Sequence, residues 1–134
     1  MSNFKTEHLD AIEGATPSVD QIEMHPSFNQ ATFRAELAER GINPEAWSPL
    51  GQSKDLDNPV LTDISKATGK TPAQVVIRWH LQIGNVVFPK SVTPSRIAEN
   101  FDVFDFELSD EQIAAIDGLD HGNRLGGDPS TADF

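Results

Sequence analysis

The residues best equipped for chemistry sit in one short stretch. Lys90, Ser91, Val92, Thr93 and Arg96 combine fixed cations with hydroxyl groups, and Thr93-Pro94 has the form of a helix start. Cations, hydroxyl donors and the amides of a helix N-terminus are together what a phosphate dianion requires. A solvated basic spot is the plainer alternative, yet cations are scarce: Lys and Arg number 10 against 21 Asp and Glu. Ser2, Asn3 and Gln21 each carry both a donor and an acceptor. A frayed terminus and an open polar row are the alternatives for these. Trp47 offers either a stacking face or a core side chain, and Ser48-Pro49-Leu50-Gly51-Gln52 after it forms at least a turn. Glu23 and Glu45 invite comparison with a glycosidase pair, but nothing else in the sequence supports one. His8, His25, His80 and His121 lack metal-ligand spacing and read as structural or exposed.

These groups need elements to position them. Thr6 reads as the N-cap of a short helix over 6–14, with Leu9 and Ile12 on one face and Gly14 at its end. Residues 19–24 read as a strand; alternation puts Val19, Gln21 and Glu23 on one face and Ile22 and Met24 on the other. A helix over 30–40 follows, with Phe33 and Leu37 one turn apart and Gly41 at the C′ position. Residues 42–47 form the next strand. Pro44 cannot donate to a ladder, so pairing is expected from Glu45 onward. A helix over 59–68 turns Leu61 and Ile64 inward. Thr71-Pro72-Ala73-Gln74 combines a Thr cap, Pro at the first position and a capping-box Gln, opening a helix to about Gln82. The apolar run 85–88 is expected to be a strand covered on both faces. Helices then run from Thr93 to near Phe101 and from Ser109, with Ile113 and Ile116 inward. The tail 121–134, rich in Gly, Asp, Asn and Pro, reads as loop. Strand–helix alternation argues for a parallel α/β sheet with helices outside, in which three full strands are too few to close a barrel.

Bulk properties bound the partners. A chain of 134 residues suits a single domain. A net charge of -11 argues against nucleic acid and against an anionic membrane surface. There is no long apolar run to span a bilayer, and Met1-Ser2-Asn3-Phe4-Lys5 lacks a signal-peptide pattern. The absence of cysteine excludes disulfides and thiolate metal sites and fits a cytoplasmic protein.

Motifs at successive strand ends now point one way. Ser2-Asn3-Phe4, Gln21-Ile22-Glu23-Met24-His25-Pro26, Glu45-Ala46-Trp47-Ser48-Pro49-Leu50-Gly51 and Phe88-Pro89-Lys90-Ser91 occur in that order, followed by Arg96-Ile97-Ala98-Glu99-Asn100 within one helix. From Ser2 to about Asp120 the chain resembles the second half of an aldo-keto reductase, and within that family the bacterial reductases of diketogluconate and related small carbonyls. The resemblance implies a fold: the last three strands and their helices of a (β/α)8 TIM barrel, incomplete here, with residues 1–134 one partial domain. It also implies NADP(H). Ser2, Asn3 and Gln21 resemble the partners of the nicotinamide carboxamide, and Trp47 resembles the residue that stacks on the ring. Ser48, Pro49, Leu50, Gly51 and Gln52 resemble the pyrophosphate loop. Lys90, Ser91, Val92, Thr93 and Arg96 resemble the binders of the adenosine 2′-phosphate, and Glu99 and Asn100 those of the adenine. Close relatives often carry a second arginine where Thr93 stands, which softens the expected NADP preference.

The family reduces small aldehydes and ketones, sugar-derived dicarbonyls among them. It takes its proton from a tyrosine assisted by a lysine–aspartate pair, with a histidine orienting the substrate. This chain contains no tyrosine. The expectation is therefore a coenzyme-binding portion without turnover of its own. A non-catalytic nucleotide-binding or self-associating fragment, or a truncated gene product, is the alternative. Open sheet edges suggest self-association or pairing with an N-terminal half.

Overall fold

Three parallel strands, in the sequential order β1-β2-β3, make the sheet of this protein. The structure is a computed structural model that describes residues 1–131. The end of the expected 121–134 tail, residues 132–134, lies outside the described residues. The chain runs α1 (Thr6–Asp10), β1 (Val19–Glu23), α2 (Ala31–Glu39), β2 (Asn43–Trp47), a single 3-10 turn (Gly51–Ser53), α3 (Pro59–Thr68), α4 (Pro72–Gln82), β3 (Val86–Val87), α5 (Pro94–Phe101) and α6 (Asp110–Asp117). Val19 pairs with Asn43 and Glu23 with Trp47; on the other side Glu45 pairs with Val86 and Ala46 with Val87. Neighbouring parallel strands joined through helices form an arc of a (β/α)8 barrel.

The helix starts follow the sequence chemistry. Thr71 and Ser109 both close capping boxes, with Gln74 and Gln112, and Asn58 Oδ1 accepts the Val60 N–H at 2.9 Å. At α1 the expectation is corrected: the cap is Lys5, whose backbone N–H donates to His8 Nδ1 at 3.1 Å. The Thr6 hydroxyl instead donates to Glu36 Oε2 at 2.7 Å, tying α1 to α2. The helix is also shorter than expected and stops at Asp10, well before Gly14.

Pro44 is also corrected. Pairing begins at Asn43, with Asp20 opposite Pro44. The Asn43 N–H donates to Ser18 O and Trp47 O accepts the Met24 N–H, so odd-numbered residues of β2 bond toward β1. Backbone groups alternate sides along a parallel strand. The missing Pro44 donor therefore lies on the β3 side, where the ladder starts only at Glu45.

Two apolar clusters hold the arc. Leu9, Ile22, Met24, Leu37, Ile42 and Ala46 pack α1 and α2 against the outer face of the sheet. Leu61, Ile64, Val75, Val76, Trp79, Leu108 and Ile116 join α3, α4 and α6. Burying a side chain such as Leu37, Leu61 or Ile116 contributes about 1.5–3 kcal/mol. Trp79, fully buried, keeps its N–H satisfied by Asp117 Oδ1 at 2.9 Å. The opposite face of β1 and β2 carries Gln21, Glu23, Glu45 and Trp47, as alternation requires. β3 departs from the expected doubly covered strand: Val86 and Phe88 are exposed, because the inner face of an unclosed arc meets solvent.

Candidate functional site

The inner face gathers one group of the expected residues. Residues 1–3 run beside β1 as the tip of a further parallel strand: Ser2 bridges Gln21, Gln21 N donates to Met1 O at 3.0 Å, and Asn3 N donates to Gln21 O at 2.8 Å. Ser2 Oγ also donates to Gln21 O at 3.2 Å. Asn3 has a positive φ of 58°, which turns its side chain to accept the Trp47 indole N–H at 2.8 Å. The Gln21 amide nitrogen donates to Glu45 Oε1. Each amide thus uses one of its two ends internally. Asn3 Nδ2 and Gln21 Oε1, a donor and an acceptor, have no partner among the described residues.

The loop after β2 is held from below. His80 is fully buried and bonds the Pro49 carbonyl through Nε2 at 3.1 Å. A carbonyl only accepts, so Nε2 carries the proton and Nδ1 accepts from Asn85 Nδ2 at 3.0 Å. Burial is the main reason its pKa falls to about 3, so the ring is neutral. Ser48, Gly51, Gln52 and Ser53 all have positive φ. Gly51 is needed twice over: its φ is 55°, and a Cβ there would lie 2.9 Å from Asp55 Oδ2. The loop closes on itself, since the amides of Gly51, Ser53 and Lys54 donate to Ser48, Leu50 and Gly51 carbonyls. Fewer backbone donors remain for an anion than a pyrophosphate loop would suggest.

A second group surrounds a cavity of about 540 Å³. Leu50, Lys90, Ser91, Val92, Thr93, Arg96, Glu99 and Asn100 line it, together with Ser53, Leu56 and the start of α4 from Thr71 to Ala73. Among the described residues neither Lys90 nor Arg96 has an acidic partner within salt-bridge distance. The Ser91 hydroxyl accepts the Thr93 N–H at 3.2 Å, and Thr93 makes no side-chain cap, so the first turn of α5 keeps its amides open. Glu99 departs from the simplest reading: its carboxylate accepts the Thr71 hydroxyl at 2.7 Å. The two groups are separate. Ser2, Asn3, Gln21, Trp47, Ser48, Pro49, Gly51 and Gln52 do not line this cavity, and the loop reaches it at Leu50 and Ser53.

Reading the sequence missed the lining from α3–α4, for which the Thr71 cap was the available signal. It also missed Glu23. This carboxylate is completely buried and accepts the backbone N–H groups of Leu125 and Gly126 at 2.5 and 2.9 Å, with His25 Nε2 at 3.1 Å. Burial opposes its ionisation, but these donors outweigh it and hold its pKa below the ordinary carboxylate range. Among the described residues no cluster of metal-ligating side chains occurs, and no helix is long and apolar enough to cross a membrane.

The aldo/keto reductase family matches residues 1–121. The chain belongs to this family. An aldo-keto reductase of Mycolicibacterium smegmatis is 56% identical over 137 residues, covering 100% of this chain and 50% of the relative. The methylglyoxal reductase DkgA of Escherichia coli K12 is 51% identical over 132 residues, covering 95% of this chain and 48% of that protein. Among solved structures, apo Gox0644 superposes with a TM-score of 0.97 at 47% identity, covering 99% of this chain and 51% of that one. A Gox0644 mutant solved in complex with NADPH gives 0.96. This aldo-keto reductase chain therefore spans about half the length of the relatives it matches. Its arc is a partial (β/α)8 barrel.

Proposed function

We propose that the chain supplies the NADP(H)-binding part of a reductase of small aldehydes and ketones, with sugar-derived dicarbonyls as one candidate substrate class. The observation that carries this is the cavity in which Lys90 and Arg96, neither of them ion-paired among the described residues, sit beside the first turn of α5. That donor set suits the 2′-phosphate of the coenzyme: two cations, the Ser91 and Thr93 hydroxyls and open helix amides. Glu99 and Asn100 would hold the adenine. Ser2, Asn3 and Gln21 would hold the carboxamide, for which Asn3 Nδ2 and Gln21 Oε1, without a partner among the described residues, are the required donor and acceptor. Trp47, its edge fixed by Asn3, would cover one ring face, and Ser48-Pro49-Leu50-Gly51-Gln52 would pass beside the pyrophosphate. When bound, the coenzyme supplies hydride. The related structure solved with NADPH supports the choice of coenzyme. A single partial domain over 1–134 and a cytoplasmic location belong to the same reading.

The proton is a separate matter. With no tyrosine in the chain, the residues present bind and orient but have no family-type proton donor. Carbonyl turnover would require residues beyond these. A second reading, self-association without catalysis, is favoured by the exposed apolar side chains near β3.

One experiment tests both statements. The 134-residue chain is titrated with NADPH and with NADH by tryptophan fluorescence, then supplied with NADPH and methylglyoxal. Replacing Lys90 and Arg96 together by Ala should weaken NADPH binding by roughly 100-fold and NADH binding far less, since two charge-assisted contacts to the phosphate are lost. No NADPH should be consumed. An equal loss for both coenzymes would remove the phosphate assignment, and coenzyme oxidation by the chain alone would overturn the account of the proton.

A further inference from the structure

We infer that Glu23 is a positioning residue, whose carboxylate clamps segment 125–127 across the ring edge of Trp47 and so builds the wall beside that ring. Glu23 shares a strand face with Gln21 and pairs laterally with Trp47. Gln21 and Trp47 are half-buried, whereas Glu23 is 0% exposed. The tail is what covers it. Oε1 accepts the Leu125 N–H at 2.5 Å and Oε2 the Gly126 N–H at 2.9 Å. His25 Nε2 stands 3.1 Å from Oε1 and an Arg124 nitrogen 3.9 Å from Oε2, so both oxygens are engaged.

The approach of the tail is set one step earlier. The Ser27 carbonyl accepts the N–H groups of His121 and Asn123 at 3.3 and 3.0 Å, and the Arg124 guanidinium lies 4.7 Å over the Phe28 ring. The consequence at Trp47 is steric. A Cβ on Gly126 would stand 2.5 Å from Trp47 Cη2 and 3.0 Å from Glu23 Oε2, so only glycine fits between the carboxylate and the indole. Asn3 holds one edge of the ring and the Gly126 backbone holds another. A carboxylate suits this task because it has two acceptor oxygens for two backbone donors. Glutamine has one acceptor, and its NH2 would meet a backbone N–H donor to donor.

The test uses the full chain without coenzyme, so it stands or falls apart from the nucleotide reading. Glu23→Gln and Gly126→Ala are each compared with the unaltered protein, with Trp47→Phe as the spectral reference. The readouts are Trp47 emission and its quenching by acrylamide, tryptic cleavage after Arg124, and the helical circular dichroism signal. Both variants should shift Trp47 emission to the red, increase its quenching and speed cleavage after Arg124 by roughly tenfold or more, the equivalent of a lost charge-assisted hydrogen bond. The helical signal should persist. The inference fails if either variant leaves Trp47 and the Arg124 cut unchanged. It also fails if the Trp47 change comes only with loss of helical signal and cleavage throughout the chain, because Glu23 would then be holding the fold rather than the tail.

Discussion

His80 shows how one side chain can decide the state of a backbone loop. Its neutral ring donates to Pro49 O and accepts from Asn85, and its pKa is about 3 in the fold against 6.5 ordinarily. The unfolded chain takes up a proton below about pH 6.5, whereas the folded chain does not until about pH 3. Stability is therefore full above about 6.5 and falls as pH drops through that window, by on the order of 1 kcal/mol per pH unit. Urea midpoints between about pH 7 and 5 should show this slope, and His80→Gln should flatten it; an unchanged slope in the variant would assign the pH dependence to another group. At this scale the sequence was legible where the partners are sequential. Lys90, Ser91, Thr93 and Arg96 are close along the chain, and their gathering around one cavity at the start of α5 could be read directly. Glu23 was not legible, because its partners are backbone amides about a hundred positions away and backbone amides leave no signature in residue types.

Among the elements, α5 carries the proposed phosphate site yet buries none of its own residues. Gln74, at the start of α4, holds it in place. Gln74 Oε1 accepts the Thr71 N–H at 2.9 Å, and Nε2 donates to Glu99 O at 3.1 Å and Asp102 O at 2.9 Å. One glutamine thus completes a capping box and ties down the end of a second helix. Gln74→Ala should cost about 2 kcal/mol, against about 1 kcal/mol for Thr71→Ala, which removes the cap and the exposed hydroxyl bond to Glu99. Amide hydrogen exchange should quicken throughout α5 more in the glutamine variant than in the threonine variant, which keeps both carbonyl ties at the end of α5; equal exchange in α5 for both would remove Gln74 from this role. The bounds of α4 and α5 were readable because Thr71 and Pro94 are local signals. The Thr6 cap and the pairing of Pro44 were misread for one reason. Both depend on what lies across from the residue, Glu36 in one case and the late start of the β3 ladder in the other.

For the whole molecule, the arc leaves apolar surface beside its thinnest strand. Ile77, Leu81, Val87, Phe88, Ile97, Phe101 and Phe104 line a cavity of about 530 Å³. Phe88, Phe101 and Phe104 are 60%, 76% and 66% exposed. Among the described residues β3 pairs on one side only, so its other edge presents backbone donors and acceptors. Exposed apolar patches and open edges favour association. A net charge of -11 opposes it, since two copies repel each other. That repulsion is screened by salt while apolar burial is not, so the balance is adjustable. The expected outcome in sedimentation velocity is a mass that rises with protein concentration, and rises further between about 50 and 500 mM salt as the screening length shrinks severalfold. Replacing Phe101 and Phe104 together by Asp should return the protein to its monomeric mass, because a carboxylate resists burial without a partner. A monomer at tens of micromolar in high salt would instead mean that the groove stays solvated despite its composition, and the contest between charge and apolar surface would have been decided for charge.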